Sequence, residues 1–118
     1  MCMKIVVKDV STGRTWNYQR IAEHIKQDVS ELVQENMDTV EEIITRNKGT
    51  LKIVLDEKEV QKYAKLGKEK MPRYAGQLFR VRKAVQDELG WKARRQDNNL
   101  VIYLDATALQ GLLEETTE

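Results

Sequence analysis

The 118-residue chain has a single cysteine, Cys2, so it can form no intrachain disulfide, and a reducing cytoplasm is the expected compartment. Its single histidine, His24, has no second His or Cys at ligand spacing, which leaves a zinc site without a donor set. The six glycines stand singly, and none builds a loop that could cradle a phosphate. No apolar run approaches the ~20 residues that span a bilayer, so no membrane insertion is expected. Met1–Lys8 lacks a long apolar core and a small-residue cleavage site. It reads as a strand rather than a signal peptide. Ser11 and Ser30 lack a nucleophile-elbow setting, and Cys2 has no activating neighbour. Asp56 and Asp105 are explained more simply as helix caps than as paired catalytic carboxylates. Neither an enzyme active site nor a cofactor is expected, which leaves a binding protein.

What the chain does have is segregated charge. The formal net charge is only +1, yet residues 1–22 sum to +3, 23–59 to −5, 60–96 to +8 and 97–118 to −5. The basic block holds Lys62, Lys65, Lys68, Lys70, Arg73, Arg80, Arg82, Lys83, Lys92, Arg94 and Arg95, against Glu69, Asp87 and Glu88. A clustered basic surface is the electrostatic footprint of a polyanion binder even when the total charge is near zero. The plainer alternative is a set of solvated, Lys-rich helices.

The hydrophobic pattern gives the order of elements. Trp16 to Asn47 has helical spacing through Tyr18, Ala22, Ile25, Val29, Leu32, Val40 and Ile43. One long helix would satisfy it. Two capping-box patterns, Asp28 to Glu31 and Asp38 to Glu41, favour breaks and three helices over about 16–27, 29–36 and 39–47. A helix, a three-residue turn and a helix is helix-turn-helix spacing. Asn47-Lys-Gly49 is turn chemistry, and Thr50–Leu55 alternates as a half-buried strand. Asp56 then caps a helix over 57–66 that ends at Gly67. Residues 68–73 hold the only proline and read as a linker. The stripe Tyr74, Leu78, Val81, Val85 and Leu89 marks a helix over 74–89, with Arg73, Arg80 and Lys83 on the opposite side and Phe79 packed against the first unit. Residues 91–95 fit either a hairpin with Leu100–Leu104 or a second short helix, with the hairpin preferred. Asp105 caps the last helix, 106–115.

One similarity organises these elements. Leu51-Lys-Ile-Val-Leu-Asp56 and Leu100-Val-Ile-Tyr-Leu-Asp105 lie 49 residues apart and share Leu, Ile, Leu and Asp. At that offset, seven of the 26 positions from Asp38 to Tyr63 are identical. The expected fold is therefore α+β: internally duplicated, winged helix-turn-helix units sharing a small central antiparallel β-sheet. The units would be residues 1–67 and 68–118, in one compact fold.

The paired strands 51–55 and 100–104, with helical segments 29–47 and 74–89, give the chain an architecture that resembles the TraN-type small DNA-binding proteins of Gram-positive conjugative plasmid transfer. That family has an internal-dimer fold with a helix-turn-helix at each end. The resemblance covers most of the chain as architecture and has no short signature. It implies double-stranded DNA as a partner, beside relaxosome or type IV secretion proteins. The acidic first unit, with Glu41 and Glu42 on its would-be recognition helix, departs from two equal DNA-reading ends. It would touch DNA only through Arg14, Arg20 and Lys52.

The residues expected to contact DNA are Lys68, Lys70, Arg73, Arg80, Arg82, Lys83, Lys92, Arg94 and Arg95. The alternative function is a protein-interaction adaptor that docks through the apolar and acidic face of 16–47. A small enzyme ranks last.

Overall fold

A computed structural model describes residues 17–67 and 73–116. The expected N-terminal strand, Arg14, and the linker cations Lys68 and Lys70 lie outside the described residues.

Helix α1, Tyr18–Glu35, forms because Ile21, Ala22, Ile25, Val29 and Val33 recur at three- and four-residue spacing and are all buried. Asn17 caps it, its Oδ1 accepting from the Arg20 N–H at 3.0 Å. The Asn17 N–H in turn donates to the Gly67 carbonyl at 2.9 Å. The break expected at Asp28 does not occur. Asp28 sits within the helix, and its carboxylate accepts a hydrogen bond from the Tyr63 hydroxyl. The unbroken apolar stripe and this tertiary partner outweigh the local capping pattern.

Helix α2, Met37–Arg46, follows after the single residue Asn36, which donates from Nδ2 to the Leu32 carbonyl at 2.7 Å. Asp38 falls in its first turn rather than at its cap. The expected three helices are therefore two, and the three-residue turn of a helix-turn-helix is absent between them. Asn47 ends α2 in the left-handed conformation at φ 52°, and Gly49 completes the turn at φ 96°.

Strand β1, Leu51–Leu55, leads into helix α3, Glu57–Gly67. The start of α3 is a reciprocal capping box. Asp56 Oδ1 accepts from the Glu59 N–H at 3.0 Å, and Glu59 Oε1 accepts from the Asp56 N–H at 3.1 Å. Helix α4, Tyr74–Lys83, continues as a π-helical turn over Ala84–Glu88. Gly90, at φ 71°, closes this segment. Strands β2, Lys92–Gln96, and β3, Asn99–Leu104, form the hairpin, with Asp97 at φ 58° in its two-residue turn. Helix α5, Ala106–Thr116, starts where Asp105 Oδ1 accepts from the Ala108 N–H at 3.0 Å.

The protein is α+β: among the described residues, five α-helices accompany a three-stranded antiparallel sheet in the order β1-β3-β2. The two similar strands are neighbours. Leu51 faces Leu104, Ile53 faces Ile102 and Leu55 faces Leu100, so the pairing is symmetric about Ile53 and Ile102. One side of the sheet carries Ile53, Leu55, Ala93, Leu100, Ile102 and Leu104 into the core. There they join Val29 and Val33 of α1, Val60 of α3, Val81 and Val85 of the α4 segment, and Leu109 of α5. That core draws on residues from both halves of the chain.

Candidate nucleic-acid interface

Helix α4 is committed to the core on one side and to local partners on much of the other. Leu78, Val81, Ala84 and Val85 are buried, with Tyr74 and Leu89 partly buried at the ends of the stripe. Arg80 does not project freely. Its Nη1 donates to the Tyr18 hydroxyl at 2.8 Å, which ties α4 to α1. Lys83 pairs with Asp87 at 3.1 Å, and Arg82 is half-buried. Arg73 stands exposed at the N-cap position of α4. Phe79, expected to pack inward, is instead 51% exposed, with the Arg80 guanidinium 5.6 Å from its ring centroid. Its position off the apolar stripe is the sequence signal for that exposure.

The hairpin keeps its cations in solvent. Lys92, Arg94 and Arg95 on β2 are all exposed. Among the described residues none of the three forms an ion pair. Arg95 braces the turn, donating from Nε to the Asp97 carbonyl at 2.8 Å. The Tyr74 hydroxyl donates to the Asn98 carbonyl, which fixes the hairpin tip against the start of α4. Burial pushes the Tyr74 phenol up from its ordinary range, with Glu57 adding to the effect and Arg95 opposing it. Gln86 Nε2 donates to the Ala93 carbonyl at 3.0 Å and covers part of the β2 edge.

Strand alternation sorts these residues onto two faces. Arg95 shares the inner side with Leu100 but lies at its solvent end. Lys92, Arg94 and Gln96 share the outer side with Tyr103, Val101 and Asn99 of β3 and with Lys52 and Val54 of β1. Lys52 Nζ lies 5.7 Å from the Tyr103 ring centroid. Val54 is 53% exposed, whereas Val101 between Val54 and Arg94 is buried. At the Lys92 end, this face meets a cleft of about 650 Å³ whose walls include Glu88, Asp105 and Glu115. Lys52 and Lys92 flank Tyr103 at that end, so the cations of the face run from there through Arg94 toward the hairpin tip.

The sequence alone singled out the β2 cations but not Tyr103, Val54 or Gln96 as their neighbours. Their signal was the period of two within each strand, which gains meaning only once the pairing register is known.

The carboxylates gather elsewhere. Asp28, Glu31, Glu35 and Glu59 line a groove between α1, β1 and α3, beside the exposed Leu32 and Val54. Glu41 and Glu42 are exposed on α2, where Glu42 pairs with Arg46 at 3.5 Å. Among the described residues, no helix is long and apolar enough to cross a membrane, and no group of His, Cys, Asp and Glu could hold a metal ion. Comparison with protein-family models, curated proteins and solved structures finds no match to this chain.

Proposed function

We propose that this protein binds double-stranded DNA through the cations of its C-terminal half, centred on the β2–β3 hairpin. The supporting observation is the exposed set Lys92, Arg94 and Arg95, held on a braced hairpin without carboxylate partners among the described residues. Cations in that state can neutralise phosphates at little cost, because no existing ion pair has to break. Arg73 and Arg82 extend the cationic surface along α4.

The two halves are read as duplicated units, of which the second carries a winged helix-turn-helix-like DNA surface. The symmetric pairing about Ile53 and Ile102 supports this, as do the matching Asp56 and Asp105 caps. With the resemblance to TraN-type proteins, the process would be plasmid conjugative transfer in the cytoplasm, and relaxosome or secretion-system proteins would be further partners.

The test is a titration of random duplex against salt. Replacing Lys92, Arg94 and Arg95 with Ala is expected to weaken binding and to flatten the log–log salt slope by roughly two to three units. Unchanged affinity and slope would remove the hairpin from the interface.

A second function, a protein-interaction adaptor, is favoured by the acidic groove and its exposed Leu32. It is distinguished by an absence of duplex binding at low salt together with a partner recovered by pull-down.

A further inference from the structure

We propose that the outer face of the three-stranded sheet, through exposed side chains led by Arg94 and Gln96 around the buried Val101, reads bases in the major groove. This rests on the duplex-binding function above and assigns base recognition to the sheet rather than to helix α4.

Helix α4 is poorly placed to enter a groove. Its apolar stripe is in the core, Arg80 is bonded to Tyr18 of α1, and Lys83 is paired with Asp87. The sheet face has the opposite character. Lys52, Val54, Lys92, Arg94 and Gln96 are all exposed on it. The charged side chains that the strands place on this face are all cations, which complements a phosphate-lined groove.

The dimensions agree. Alternate residues on a strand are about 6.7 Å apart, close to two base-pair rises of about 3.4 Å. Arg94 and Gln96 therefore stride along a groove in register with alternate base pairs. The major groove, about 12 Å wide, admits a two-stranded ribbon such as the β2–β3 hairpin, with its strands about 4.8 Å apart, and leaves β1 at the groove edge. β2 would follow the groove floor while Lys52 on the far strand approaches a phosphate wall.

The chemistry fits as well. The Arg94 fork suits guanine O6 and N7, and the Gln96 amide suits adenine N6 and N7. Val54, a large apolar side chain that folding leaves exposed, can meet a thymine methyl. The contacts of Gln86, Tyr74 and Arg95 hold the hairpin before any ligand arrives.

The experiment selects preferred sites for the full-length protein from a random duplex library, then repeats the titrations with R94K and R82K. It also maps interference by methylation of guanine N7. R94K keeps the charge and loses the fork. It is expected to leave the salt slope unchanged while reducing discrimination at one guanine by about tenfold or more, with interference at that same guanine. If R94K keeps the full preference, or R82K loses it instead, the sheet is not the reader. Binding without base preference would overturn this inference alone. No duplex binding by the unaltered protein at low salt would overturn the duplex-binding function with it.

Discussion

The chain reaches β1 through a helix and β3 through a strand. α2 brings Glu41 and Glu42 up to the first of the paired strands, whereas β2 brings Lys92, Arg94 and Arg95 up to the second. Beyond each strand the structures converge again, because Asp56 and Asp105 cap α3 and α5 through equivalent bonds of 3.0 Å. The difference is thus confined to the approach, and the approach carries the charge. Two equivalent strands can share one core while the segments before them present surfaces of opposite sign.

The core pairing can be broken at its centre, and the largest effect is expected there. Ile102 is fully buried on the central strand, while Ile53 faces it from an edge strand at 8% exposure. Ile102→Ala is expected to cost about 3–5 kcal/mol and Ile53→Ala about 2–3 kcal/mol, measured by urea denaturation. Equal losses would mean that edge and centre are equally packed.

The two caps sharpen the comparison at a smaller scale. Asp56→Ala and Asp105→Ala should each cost about 1 kcal/mol, measured by urea denaturation. Each substitution leaves the N–H three residues on, that of Glu59 or Ala108, without its acceptor, while the Glu59 carboxylate keeps its bond to the backbone N–H of residue 56.

A smaller, pH-dependent effect is specific to the first half. Burial, followed by the hydrogen bond to the Asp28 carboxylate and its charge, holds the Tyr63 phenol above its ordinary pKa of 10.0. Because the folded-state pKa is raised, the contribution of Tyr63 is complete below about pH 10, the unfolded value, and fades as pH rises above it. Tyr63→Phe is expected to cost about 1 kcal/mol at neutral pH, since Asp28 is partly solvated. Above about pH 10 its stability should decline less steeply than that of the parent protein. Parallel declines in denaturation series at rising pH would assign the bond no role.

Much of this could be read from the sequence where local chemistry and packing agree. The L-x-I-x-L-D repeat locates both paired strands and both caps, and the 74–89 stripe locates α4 together with the segment that continues it. Local signals mislead where a tertiary partner overrides them. Asp28 has the spacing of a cap but serves Tyr63 from within α1. Asp38 has the same spacing but lies inside the first turn of α2, because α1 runs on to Glu35. Arg80 is placed by the helical wheel on the outer side, yet it reaches Tyr18 on a neighbouring helix. The sheet face was legible only in halves. Lys52 and Val54 lie about forty residues from Lys92 and Arg94, and only the register with Tyr103 and Val101 brings them together.

The most direct test of divided labour compares charge removal in the two approaches by salt-dependent duplex titration. Removing Lys92 and Arg95 on β2 should flatten the slope by about two units, and removing Arg46 and Lys48 beside β1 should leave it unchanged. Equal effects from the two pairs, or an effect from the α2 pair alone, would contradict the assignment of DNA binding to the second half.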